Sequence, residues 1–157
     1  MRQLRGIALQ RNVASGGRYE VPKPQVLIID DDVDMLSELR CVIETAGYDA
    51  AAFADSAKAL DAIRERPPDV ILTDLKMPLM NGFQLAIELS KDPKTAAIPV
   101  IALTGCFTSE EHLEVMRICG ISARIAKPVD PEEILSTIRL FLSPTAGRSG
   151  RTENLPA

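Results

Sequence analysis

Four short apolar runs in this 157-residue chain each lead into a residue that can do chemistry. Val26-Leu27-Ile28-Ile29 runs into Asp30, Asp31 and Asp32. Val70-Ile71-Leu72-Thr73 runs into Asp74, Val100-Ile101-Ala102-Leu103 into Thr104 and Gly105, and Arg124-Ile125-Ala126 into Lys127-Pro128. Carboxylates crowded together repel one another, and a bound divalent cation removes the conflict. Ligands that are all oxygen, with room left for water and a phosphate oxygen, favour Mg²⁺. Such a cation neutralises an incoming phosphoryl group. A threonine hydroxyl and a lysine ammonium can then hold one phosphoryl oxygen each. A carboxylate held in line is a nucleophile. By residue type, these positions contain the parts for an aspartyl phosphate on Asp74, provided one fold gathers them.

The segments between them read as that fold. Continuous apolar runs mark strands buried on both faces, as in a parallel sheet. Met35, Leu36, Leu39, Val42, Ile43 and Ala46 recur at three- and four-residue intervals, a helix face that Gly47 ends. Residues 49–53 make a second strand. Asp55 or Ser56 caps a second helix that turns Ala59, Leu60 and Ile63 inward and stops before Pro67-Pro68. Phe83 to Leu89 is a third helix. Residues 109–119 are a fourth, with Leu113, Met116 and Val115 inward. Pro131 opens a fifth, burying Ile134, Leu135, Ile138 and Phe141. Five strands alternating with five helices define a doubly wound α/β domain. Ligands of such a sheet bind at the carboxyl ends of its strands, where the reactive residues fall.

Composition bounds the rest. Apolar residues make up 46% and charged residues 25%, the profile of a soluble globular protein. The formal net charge is −4 and is unevenly spread. Residues 25–142 hold 11 Lys and Arg against 20 Asp and Glu. An acidic body argues against non-specific nucleic-acid binding. Residues 1–24 are basic, with Arg2, Arg5, Arg11, Arg18 and Lys23 against Glu20, and are expected to be a disordered leader. Residues 143–157 are expected to be a disordered tail, which leaves 25–142 as the domain. Cys41, Cys106 and Cys119 have neither disulfide nor zinc spacing and suit a reducing cytoplasm. No apolar run reaches the length of a membrane span.

Four segments, VLIIDDDVDML, PPDVILTDLKMPLMNGFQL, IPVIALTG and ARIAKPVDPEEIL, carry a resemblance. In this order and at these spacings they resemble the receiver domain of bacterial response regulators, over about residues 25–142. The resemblance implies a flavodoxin-like (βα)5 fold with a parallel five-stranded sheet of order 2-1-3-4-5. Asp74 resembles the phospho-acceptor, and Asp30 and Asp31 the acidic pair that holds Mg²⁺ with it. Lys76 resembles the residue whose backbone carbonyl completes the metal site. Thr104 resembles the switch hydroxyl, and Lys127 the phosphate-contacting lysine, with a cis Lys127-Pro128 bond. Gly82 matches the loop after the acceptor and is expected at positive φ. The implied donor is a sensor histidine kinase or phosphotransfer protein. The domain itself would catalyse only its own phosphorylation and dephosphorylation. No output domain is legible after the last helix. The expectation is therefore a cytoplasmic stand-alone receiver that signals by protein contact, without direct DNA binding or membrane attachment. It would be a monomer or an activation-dependent dimer.

Arg124 departs from the family, which carries an aromatic ring three residues before the lysine. Arginine can stack and pair but cannot bury itself as a ring does. Arg124 is the feature favouring the alternative, a pseudo-receiver that docks without being phosphorylated. A phosphatase of the haloacid-dehalogenase type would need a second Asp two residues after the nucleophile, where Lys76 stands. Asp32 and Asp34 read as cap and solvent residues. His112 reads as a surface histidine and Cys106 as a passive loop residue. Met77, Leu79 and Met80 leave open a partner-facing loop or partial packing.

Overall fold

A computed structural model describes residues 20–106 and 109–143. Strands β1 (Gln25–Ile29), β2 (Asp49–Phe53), β3 (Val70–Asp74), β4 (Val100–Thr104) and β5 (Ala123–Ala126) alternate with five helices. These are α1 (Val33–Thr45), α2 (Ser56–Glu65), α3 (Gly82–Lys91), α4 (Glu110–Cys119) and α5 (Pro131–Leu142). All four strand pairings are parallel and the order is β2-β1-β3-β4-β5. This is the doubly wound, flavodoxin-like sheet expected.

Strand alternation divides the core into two layers. Leu27, Ile29, Ile71, Val100 and Ala102 face α2, α3 and α4. Val26, Ile28, Val70, Leu72, Ile101, Leu103 and Ile125 face α1 and α5. Both faces of β1, β3 and β4 are thus covered, which is why these strands are apolar without a polar beat.

Each helix begins with a side-chain cap at the carboxyl edge of the sheet. Asp32, Asp55, Asn81, Ser109 and Asp130 are the N-caps, and Asn81 forms a reciprocal box with Gln84. Caps of this kind contribute about 1 kcal/mol each. They also fix where each helix leaves the loop that carries the reactive residue. Asp55 is the cap of α2, which frees the Ser56 hydroxyl to donate to the Met80 carbonyl (2.8 Å).

Three local expectations change. Val115 is 45% exposed rather than inward, because Leu113 and Met116 already fill the buried stripe of α4. Ala46 is exposed as the C-cap of α1, and Gly47 follows at φ 96°. Gly82 is not among the positive-φ glycines; Gly47 and Gly120 are. Glycine is required at 82 for space, since a Cβ would stand 2.5 Å from the Asp74 carbonyl oxygen. The left-handed residue of that loop is Leu79, at φ 67°. The leader 1–24 and tail 143–157 fall almost wholly outside the described residues.

Candidate metal and phosphoryl site

The parallel register brings the ends of four strands to one edge. Ile29 pairs with Thr73, Asp74 with Leu103, and Thr104 with Ala126. The residues that follow β1 and β5, and those that end β3 and β4, therefore converge. Asp30 is fully buried, Asp74 and Thr104 nearly so, and Asp31 is exposed.

Lys127 ties the edge together. Its Nζ donates to Asp30 Oδ2 at 3.0 Å and to Asp74 Oδ2 at 3.2 Å. The remaining oxygen of each carboxylate takes a backbone donor. Asp30 Oδ1 accepts from Asp32 N–H (2.9 Å) and Asp74 Oδ1 from Lys76 N–H (3.1 Å). The Lys127 N–H donates to the Thr104 carbonyl (3.0 Å), and Cys106 N–H donates to Thr104 Oγ1 (3.2 Å). Asp74 is braced from behind as well. The Thr73 hydroxyl donates to its carbonyl (2.9 Å), and Gly82 closes against the same oxygen.

Electrostatically the site is overcrowded with negative charge. Burial pushes the Asp30 carboxyl above its ordinary value. The Asp32 N–H and Lys127 pull it back without cancelling, and the Asp74 charge adds to the push. Burial by itself would lower Lys127; the hydrogen bonds and charges of Asp30 and Asp74 more than offset it, so its ammonium is held above the usual lysine value.

Ligand oxygens of Asp30, Asp31 and Asp74 all lie within 4.8 Å of one another. Opposite ligands of an octahedral Mg²⁺ stand about 4.2 Å apart, so three carboxylate oxygens clustered on nearly this scale could close on a hard divalent cation with small side-chain adjustments, leaving vertices for water. Lys76 brings its backbone against Asp74 while its side chain is exposed. The sequence reading thus named the residues gathered here. It missed the Ser56–Met80 anchor, whose only signal was an oxygen-bearing residue beside an aspartate that was itself a sufficient cap. It also missed Leu79 as the left-handed residue, because leucine carries no turn signal. His112 sits on α4 with Ser109 Oγ 2.7 Å from its Nδ1. Cys41 and Cys106 are exposed and Cys119 is half-buried.

Fold and site together define a single α/β domain with an acidic, lysine-bridged cluster at a topological switch edge. The model of the response regulator receiver domain matches residues 26–139, and the chain belongs to that family. It is 34% identical over 133 residues to the DNA-binding dual master transcriptional regulator RpaA of Synechocystis, a match covering 85% of this chain and 52% of RpaA. The chain therefore spans about half the length of that relative. It is 33% identical over 121 residues to protein PilH of Pseudomonas aeruginosa, covering 76% of this chain and 98% of PilH. The chemotaxis protein CheY4 of Vibrio cholerae superimposes with a TM-score of 0.73 at 28% identity, covering 76% of this chain and 99% of CheY4. Among the described residues no helix is long and apolar enough to cross a membrane.

Proposed function

We propose that Asp74 accepts a phosphoryl group from the phosphohistidine of a sensor kinase or phosphotransfer protein. The observation that carries this reading is the Lys127 ammonium held between the Asp30 and Asp74 carboxylates. That is a cation already within reach of the oxygens that would receive phosphorus. A carboxylate oxygen of Asp74 attacks the phosphorus in line, the O–P bond forms, and the N–P bond breaks to release the imidazole. Lys127 turns from a carboxylate to a phosphoryl oxygen, and Thr104 Oγ1 donates to another. Asp30, Asp31, Asp74 and the Lys76 carbonyl are the expected ligands of Mg²⁺, which when bound neutralises the charge of the transferring group. In hydrolysis, water attacks phosphorus and the O–P bond breaks, returning the carboxylate.

The read-out follows from Thr104. Its movement toward the phosphoryl group would shift the surface made by α4, β5 and α5 between two populations, and a partner protein would bind the shifted one. The compartment expected for this chemistry is the cytoplasm, in keeping with three free cysteines. The decisive experiment is labelling by acetyl phosphate with Mg²⁺, read by intact mass on the wild type and on Asp74→Asn. The expected result is a metal-dependent gain of a single phosphoryl group, absent from the variant. No gain on the wild type, even with a kinase supplied, would favour the docking-only alternative.

A further inference from the structure

The loop from β3 to α3 carries Asp74 at one end and is tied at the other to a different loop. After Asp74, Leu75 and Met77 are buried. Lys76 stands between them, with its side chain exposed and its N–H on Asp74 Oδ1 (3.1 Å). The loop then doubles back, and Gly82 N–H donates to the Leu75 carbonyl (3.2 Å). The reversal is made at Leu79, at φ 67°, where Met80 N–H donates to the Pro78 carbonyl (2.9 Å). A γ-turn of this hand is rare and strained. Leu79 is fully exposed and recovers none of the cost by burial. Strained backbone persists only where its surroundings over-determine it.

Ser56 provides that constraint. It is the first residue of α2 and is buried. Its hydroxyl donates to the Met80 carbonyl (2.8 Å), and its oxygen lies 3.6 Å from the Met77 sulfur. One hydroxyl therefore touches the loop on both sides of Leu79. Helix α2 has no use for it, because Asp55 already accepts from the Ala57 and Lys58 N–H groups. The amino edge offers a tie of the same chemistry. There the buried Thr95 hydroxyl donates to the Leu89 carbonyl (2.7 Å). That tie closes the turn after α3 on itself and leads to no reactive residue.

We infer that Ser56 is a positioning residue for the metal and phosphoryl site, holding the Met77–Met80 turn so that the Lys76 backbone stays fixed against Asp74. The inference rests on the reading of Asp74 as acceptor and of the Lys76 carbonyl as a Mg²⁺ ligand. Without the hydroxyl, the Met80 carbonyl loses its partner and the strained turn loses its restraint. Lys76, two peptide units before the turn, is then free to drift from Asp74. A ligand set ordered in advance binds its cation more tightly than one that must be ordered on binding. Contacts that orient metal ligands from outside are typically worth about tenfold or more in affinity.

Two hydroxyl deletions test this, Ser56→Ala at the site and Thr95→Val at the amino edge. Melting curves check that both variants fold. Mg²⁺ affinity is measured by calorimetric titration, and amide hydrogen exchange is followed in metal-free buffer. Ser56→Ala should raise the Mg²⁺ Kd about tenfold. It should also speed exchange at the Lys76 and Gly82 N–H groups by about tenfold before any metal is added. Thr95→Val should lower the melting temperature comparably while keeping the Mg²⁺ Kd within about twofold of wild type. An unchanged Kd or unchanged exchange in Ser56→Ala would overturn the inference. So would an equal rise in Kd for Thr95→Val, which would make the effect one of general stability. A wild type that binds no Mg²⁺, or takes no phosphoryl group from acetyl phosphate, would instead overturn the reading of the site on which the inference rests.

Discussion

The two edges of the sheet are built from the same strands and end differently. At the amino edge, polar groups pair off one to one. Gln25 N–H donates to Asp69 Oδ2 (2.7 Å), Asp69 N–H to the Gln25 carbonyl (2.9 Å), and Asp49 N–H to the Pro24 carbonyl (3.0 Å). Val100 N–H donates to Ser122 Oγ (3.3 Å). At the carboxyl edge one ammonium serves two buried carboxylates, with Asp31 close by. The first edge is closed by its own residues. The second gathers three carboxylates around one ammonium, an excess of negative charge that a divalent cation from outside would offset.

Changes at the carboxyl edge should be the more severe and should respond to Mg²⁺. Lys127→Ala leaves Asp30 and Asp74 buried without their ammonium. The expected loss of stability in metal-free buffer is about 2–3 kcal/mol, less than for a fully buried pair because Lys127 retains some solvent contact. Saturating Mg²⁺ should recover part of it, since a ligand at about 100 times its Kd adds about 2.7 kcal/mol. Denaturant melts with and without the metal test this; a deficit untouched by Mg²⁺ would argue against a cation site.

Gly82→Ala forces a methyl group against the Asp74 carbonyl. It should destabilise by about 1–3 kcal/mol and slow acetyl phosphate labelling by displacing the acceptor. A neutral effect on both would show that the loop yields freely.

Asp30→Asn should act in the opposite sense. The native protein holds the Asp30 proton more tightly than the unfolded chain does. The group's contribution to stability is therefore fully present below the ordinary aspartate range and lost as pH rises through the raised native value. The amide removes that loss. In metal-free buffer the variant should be as stable as wild type at low pH and more stable near neutrality, yet weaker in binding Mg²⁺. A lower stability near neutrality would mean that the ionised pair with Lys127 outweighs burial.

The smallest effect is expected at the settled edge. Asp69→Ala removes one exposed hydrogen bond and should cost about 0.5–1.5 kcal/mol, with Mg²⁺ affinity and labelling unchanged. A changed Mg²⁺ affinity would show that the two edges communicate.

The fold was legible because its strands are buried on both faces, and such strands are written as unbroken apolar runs. Residues gathered at the carboxyl edge were legible for the same reason, since each follows or ends a run. Helix limits agreed where caps are explicit, as at Asp130-Pro131 and Gly47. Geometry that depends on contact across the fold was hidden. The fit of Gly82 against a carbonyl eight residues earlier, the bracing of Met80 by Ser56, and the left-handed backbone of Leu79 leave no local pattern. Val115 was misread because an apolar residue on an amphipathic helix can sit just beyond the stripe that two larger neighbours already fill. The sharing of one ammonium by two carboxylates could not be read from residue types, which suggested only that Lys127 would meet phosphate.

The lysine bridge has a consequence for how the protein is made. It joins residues 97 and 53 positions apart, from the first strand and the third to the end of the fifth. On the ribosome Asp30 and Asp74 emerge first and wait for their ammonium. At roughly 5–20 residues per second, the stretch from Asp74 to Lys127 takes several seconds to synthesise. During that interval the nascent strands carry their carboxylates without the charge that belongs between them. The charge set of this edge is therefore complete only once β5 has been made, and a chain cut short before β5 would keep the acidic residues while lacking the lysine that bridges them.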